Sequence, residues 1–200
     1  MMTKLLVASR NRKKLAELRR VLDAAALTGL TLVSLEDVPP FHESPESGAT
    51  FEDNALAKAR DGFAATGLPT VADDSGLEVA ALNGMPGVLS ARWAGEHGDD
   101  AGNTALLLLQ LRDVPDQRRA AAFVSACALA SPAGEVVVRG EWPGAIAREA
   151  CGDAGFGYDP VFIPDGEDRT AAQLTAEEKD AVSHRGRALR LLLPALRALA

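Results

Sequence analysis

The 200-residue chain is predicted to be an α/β protein, with a mixed central β-sheet flanked by helices. Two observations lead there. Through the first 80 residues, short apolar runs alternate with segments of helical hydrophobic period. Near residue 120 the pattern changes to two long apolar runs around a turn, as in a hairpin. The composition supports a packed core: 47% of residues are hydrophobic but only 4% aromatic, so Ala, Leu and Val carry most of the packing. A single domain over residues 1–200 is expected from this length.

Taken in order, residues 4–8 read as a buried strand. After Asn11, Leu15, Leu18 and Leu22 recur at helical spacing, giving a helix that ends before Gly29. Residues 31–35 are a second strand, and 36–50, rich in Pro, Ser, Glu and Gly, a loop. Thr50 and Asp53 form a capping box that opens a helix with Leu56, Ala59 and Phe63 on one side. Residues 69–72 are a strand running into Asp73-Asp74-Ser75-Gly76. Residues 83–98 are irregular, and 103–111 an apolar helix. Residues 120–130 and 135–142 pair across Ser131-Pro132-Ala133-Gly134. Residues 152–165 are a loop, Thr175 and Glu178 cap a short helix to about Val182, and a last helix runs from about Arg187 to the end, with Pro194 as its kink site.

Net charge is −7, which argues against tight binding to a nucleic-acid polymer and leaves room for a local cationic cluster that holds a small anion. No run approaches the ~20 apolar residues of a membrane helix, so a soluble, cytoplasmic protein with no membrane partner is expected. Cys127 and Cys151 form no metal or redox spacing, and Cys127 sits in an apolar run as a small buried hydrophobe.

Chemistry is suggested at four places. Ser9, Arg10, Asn11, Arg12, Lys13 and Lys14 open the first helix, where unpaired N–H groups and the helix dipole favour an anion. Cations are out of place there unless they hold phosphate. In Asp73-Asp74-Ser75-Gly76, adjacent strand residues point to opposite faces, so the two carboxylates need not share a task. Mg²⁺ uses one or two protein carboxylates and completes its shell with water and phosphate, which fits Asp74 with Asp73. A plain turn explains the four residues as well. Glu43 and Glu46 are further candidate ligands or a solvated acidic loop, and Lys58 is a solvated lysine or one that reaches the site. Phe156, Gly157, Tyr158 and Asp159 offer a flat apolar face beside backbone free to approach a ligand. Lys179 shares a helix face with Ser183, and His184 and Arg185 supply donors at a helix junction.

In this order the blocks resemble the non-canonical purine nucleoside triphosphate pyrophosphatase family. The likeness runs from Leu5 to about Leu193 and includes residues 50–59 (TFEDNALAKA) and 85–93 (MPGVLSARW). It implies hydrolysis of inosine or xanthosine triphosphates to a monophosphate and pyrophosphate. It also implies two lobes with a substrate cleft, a Mg²⁺ requirement and a homodimer. By match, Asp74 is the metal-linked residue that activates water and Ser75 contacts substrate. Ser9 to Lys14, Lys58 and Lys179 hold the triphosphate. Phe156 to Asp159, His184 and Arg185 frame the base, and Asp73 and Glu46 support the metal. The first block departs from the family's Thr-Gly-Asn: here it is Ser9-Arg10-Asn11. The rivals are a pyrophosphatase for modified pyrimidine nucleotides and a nucleotide- or RNA-binding module without catalysis. Net acidity opposes the RNA reading, and carboxylates beside phosphate oppose a mere binder, because they repel without a cation.

Overall fold

The computed structural model describes residues 2–175, 178, 179 and 182–200, and the side chains of Arg12 and Lys13 lie outside the description. Its sheet has six strands, β1 (Thr3–Val7), β2 (Leu30–Ser34), β3 (Thr70–Val79), β4 (Ala120–Ser131), β5 (Gly134–Ile146) and β6 (Phe162–Pro164). Their order across the sheet is β2-β1-β3-β4-β5-β6. β1 runs parallel to β2 and β3, whereas β5 and β6 are antiparallel, so the sheet is mixed as expected. Among the described residues the long helices are α1 (Arg12–Ala24), α2 (Phe51–Thr66), α3 (Asp100–Gln110) and α4 (His184–Arg197).

By contacts the chain forms two compact units. The first comprises residues 1–74, 125–140 and 185–200, and its core joins Leu5, Val7, Leu18, Leu22, Val71, Leu129, Leu189, Leu192 and Leu196. Cys127 is fully buried there, and burial pushes its thiol pKa up to about 12, which makes it a packing residue. The second comprises residues 75–124 and 141–184. Its core gathers Leu77, Val79, Leu107, Leu111, Phe123, Trp142, Tyr158 and Phe162. The few aromatics therefore concentrate in one unit. Phe123 packs against Phe162 at 4.6 Å between centroids, and Trp142 meets Phe162 edge-on at 5.5 Å.

Several elements differ from the sequence expectation. β3 does not stop at Ala72: it continues through Asp73, Asp74, Ser75 and Gly76 to Val79. Alternation along an unbroken strand then sends the Asp73 and Asp74 side chains to opposite faces. α2 starts as predicted: Thr50 Oγ1 accepts from the Asp53 N–H, and the Asp53 carboxylate accepts from the Thr50 N–H. Its buried face is Phe51, Asn54, Ala55, Ala59 and Gly62, so Ala59 is buried as expected, while Leu56 and Phe63 are only partly buried. Small residues on that face bring α2 close to the sheet, which larger side chains would prevent. β6 forms within the segment expected to be loop. α4 begins at His184, earlier than Arg187, and keeps Pro194 inside it. The short helix expected from Thr175 includes residues 176, 177, 180 and 181, which lie outside the described residues. Its capping pair is present, with the Glu178 N–H donating to Thr175 Oγ1 and the Thr175 N–H to the Glu178 carboxylate.

Candidate functional site

In the first unit, β3, α2 and the loop before α2 bring four residues together. Lys58 Nζ lies 3.0 Å from Asp74 Oδ1 and 2.5 Å from Glu46 Oε1, so one ammonium bridges two carboxylates. Asn54, one helical turn before Lys58, donates from Nδ2 to Asp74 Oδ2 at 3.0 Å. Its Oδ1 accepts from the Gly48 N–H at 2.8 Å. Asp74 is 8% exposed, and burial outweighs the help of Lys58 and Asn54, so its carboxyl pKa is raised. Burial alone would lower the Lys58 pKa, but the two carboxylates more than compensate and raise it.

The other face of β3 carries a different cluster. Asp73 meets Lys14 Nζ at 2.8 Å and Arg185 Nε at 3.2 Å. Arg185 also reaches Glu17 at 3.3 Å through Nη1. Burial here would raise the Asp73 pKa, yet Lys14 and Arg185 overcome it and hold the carboxyl well below the ordinary 3.8. Between β1 and α1, the Asn11 N–H donates to Ser9 Oγ at 3.2 Å. Arg10 leaves this turn for an exposed ion pair with Glu43 at 2.5 Å. Arg10, Ser9 and Glu43 also border a cavity of about 600 Å³ walled by Leu15, Leu35 and Phe41.

In the second unit, Asp159 is 2% exposed and accepts from the Phe156 N–H at 2.9 Å. It also pairs with Lys179, whose Nζ stands 5.1 Å from the centre of the Phe156 ring. Phe156 itself is 52% exposed, a flat apolar face held in the open. Gly155 turns at φ +84°, and a Cβ there would run into the Asp159 carboxylate, so only glycine permits this hold. The Gly157 N–H donates to Asp100 at 2.7 Å. Tyr158 is buried and donates its hydroxyl to the Ser90 carbonyl at 2.8 Å, and burial raises its pKa. That places Tyr158 as an anchor of the loop. The His184 ring is buried and stacks on Phe123 at 5.1 Å. Ser75, half-buried, follows Asp74 directly in β3.

The sequence-predicted residues thus fall into three clusters: Asp74, Lys58 and Glu46; Asp73, Lys14 and Arg185; and Phe156, Asp159 and Lys179. Arg12 and Lys13 lie in α1, but their side chains are outside the described residues. Sequence reasoning passed over Asn54, Glu17 and Asp100. Asn54 stands four residues before Lys58 on the face of α2 that the structure buries, a position the sequence reading did not select.

Glu46 and Asp74 are hard oxygen donors that already converge on one cation, the Lys58 ammonium. Among the described residues no group of three or more His, Cys, Asp or Glu gathers as a metal site. Two carboxylates fit Mg²⁺, which takes few protein ligands and relies on water and phosphate for the rest. They do not suit an ion that needs a full protein cage.

An α/β fold in which one lysine bridges a strand carboxylate, Asp74, and a loop carboxylate, Glu46, with cations at a strand–helix turn, is an arrangement suited to phosphorylated ligands. Comparison with known proteins makes that class specific. The family model described as the Ham1 family matches residues 5–195, and the chain belongs to that family. It is 81% identical over 200 residues to a dITP/XTP pyrophosphatase of Mycolicibacterium paratuberculosis, covering 100% of this chain and 98% of that protein. A crystal structure of a nucleoside-triphosphatase, dITP/XTP pyrophosphatase, from Mycobacterium abscessus is similar with TM-score 0.84 and 69% identity, over 97% of this chain and 100% of the other. A HAM1 protein structure from Coxiella burnetii gives TM-score 0.88 at 41% identity, over 98% and 100%.

Proposed function

We propose that this chain hydrolyses non-canonical purine nucleoside triphosphates (ITP, dITP and XTP) to the monophosphate and pyrophosphate, removing them from the nucleotide pool. The relatives named dITP/XTP pyrophosphatase support the substrate class. The observation that carries the chemistry is the Glu46–Lys58–Asp74 bridge with Asn54 behind it. A buried carboxylate with a raised pKa is a stronger base than a solvated one. Asp74 orients a water and takes its proton. The water oxygen bonds to the α-phosphorus as the α–β bridging bond breaks, and pyrophosphate leaves with the bridging oxygen. Lys14 and Lys58 offset the charge that grows on the leaving group.

Mg²⁺ is the proposed cofactor, held by Asp74 and Glu46. When bound it would neutralise phosphate charge and acidify a water. Asp73 supports that site by orienting Lys14 and Arg185, because its carboxylate is already committed to both. Ser9, Asn11, the cations of the first turn and Lys179 hold the triphosphate, and Ser75 contacts substrate beside Asp74. Phe156 stacks on the base, with Gly157, Tyr158 and Asp159 shaping its loop. Donors from His184 or Arg185 pair with the 6-keto oxygen of hypoxanthine or xanthine. The 6-amino group of adenine would leave such donors unpaired, a mismatch worth up to ~10⁴ in favourable cases. We also propose a homodimer working in the cytoplasm, with neither nucleic-acid polymer nor membrane as partner.

The test is release of pyrophosphate from ITP, XTP, dATP, GTP and TTP, with Mg²⁺ and with EDTA. Fast, metal-dependent release from ITP or XTP is expected, with the standard nucleotides slow. Orthophosphate as the product would move the cut to the γ position and overturn the mechanism.

A further inference from the structure

The carboxylate pair closes into a ring of contacts. From Asp74, Oδ2 accepts from Asn54 Nδ2 at 3.0 Å, and Asn54 Oδ1 accepts from the Gly48 N–H at 2.8 Å. Two residues before Gly48 stands Glu46, which meets Lys58 at 2.5 Å, and Lys58 returns to Asp74 Oδ1 at 3.0 Å. Asn54 is the only member of this ring that links the acidic loop to the strand carboxylate without a charge of its own. It is 2% exposed.

Both partners fix its amide in one orientation. A flipped amide would aim an NH₂ at the Gly48 N–H and an oxygen at a carboxylate, losing two hydrogen bonds and adding a repulsion. The close approach of the loop is equally specific. A Cβ at residue 48 would come within 2.6 Å of Asn54 Oδ1 and 2.7 Å of Asp53 Cβ. Where the loop can sit is therefore limited by the Asn54 amide together with Asp53 Cβ.

We propose that Asn54 is a positioning residue, which sets the orientation of the Asp74 carboxylate and its separation from Glu46. This rests on the reading of Asp74 and Glu46 given above. Partners that orient a ligating or basic carboxylate typically change metal affinity or rate by about 10- to 100-fold when removed. A residue with a packing role alone would change stability and leave both untouched.

Two variants of the full chain separate these cases. Asn54→Ala removes both bonds. Asn54→Asp keeps the size and the acceptor for Gly48 but turns an acceptor towards Asp74. For both, kcat on ITP is expected to fall about 10- to 100-fold while KM stays within about threefold. Mn²⁺ affinity of Asn54→Ala, read by electron paramagnetic resonance without nucleotide, is expected to weaken about tenfold or more. Gly48→Ala, which strikes the ring from its far end, is expected to give the same pattern more weakly. It also serves if Asn54→Ala does not fold.

Folded variants with wild-type kcat and wild-type Mn²⁺ affinity overturn the proposal. A loss confined to melting temperature does the same. Should the wild type release no pyrophosphate while Mn²⁺ affinity still falls in Asn54→Ala, the activity reading fails and the positioning role stands.

Discussion

Asp73 and Asp74 are neighbours on one strand, yet the two faces of β3 treat them in opposite ways. Asp73 faces two cations, Lys14 and Arg185, and its carboxyl is held well below the ordinary pKa. Asp74 faces one lysine already shared with Glu46, so burial prevails and its pKa rises. One site satisfies a buried charge fully, and the other leaves a charge that gains from a further cation or from a proton. The proposed role of base belongs with the second, because a carboxylate that is already satisfied has little to offer as a base.

The largest effect that tests this contrast is expected from Asp74→Asn. Turnover of ITP should fall about 10²- to 10⁴-fold, the range ascribed to a positioned acid–base group. The fold should survive, since an amide can still accept from Asn54 Nδ2. Circular dichroism and pyrophosphate release measured together decide it, and near-normal kcat would remove Asp74 from the mechanism.

Asp73→Asn should show the reverse balance. It strands Lys14 and Arg185 beside a neutral amide, and breaking a buried pair costs about 3 kcal/mol. Denaturant unfolding should register that loss, with kcat less affected than in Asp74→Asn. If Asp73→Asn proves as stable as the wild type, the two cations are satisfied elsewhere and the contrast collapses.

pH sharpens the same comparison. A depressed carboxyl contributes stability that is fully present above its ordinary pKa, and it is lost as pH falls through the folded value. The advantage of the wild type over Asp73→Asn should thus be full near pH 7 and shrink as pH falls below 3.8. A raised carboxyl does the opposite, because the native state takes up its proton first. Relative to Asp74→Asn, the wild type should gain stability as pH falls towards 3.8. Slopes of the same sign in both pairs would contradict the assignment.

Much of this was legible in the sequence. Helical periodicity placed α1, the capping box placed the start of α2, and a hairpin pattern placed β4 and β5. The extension of β3 was not legible, because Asp-Asp-Ser-Gly reads locally as a turn and only pairing within the sheet overrides that preference. The α2 face was misread in part, since Leu56 and Phe63 are the most apolar residues, whereas close packing selected Ala55, Ala59 and Gly62. Lys58 and Asp74 were legible through the family pattern. Asn54 and Glu17 were not, because their roles come from partners 20 and 168 residues away in sequence. Spacing along a chain carries no record of such pairs.

The smallest effect is expected at Arg10, where the first block departs from the family's glycine. Its ion pair with Glu43 is exposed, with 81% and 39% of the two side chains open to solvent. Exposed pairs contribute no more than about 1 kcal/mol and weaken with salt. Unlike Asp73, Arg10 stands outside the buried network, and the neighbouring Ser9 hydroxyl and Asn11 backbone bond without its help. Arg10→Gly should therefore keep its melting temperature within about 2 °C of the wild type and kcat within about threefold. Its KM for ITP should lose part of its salt dependence, because one cation leaves the phosphate approach. A tenfold rise in KM would show instead that Arg10 releases Glu43 to hold phosphate directly. The turn would then join the strand carboxylates as a part of the site that no glycine could replace.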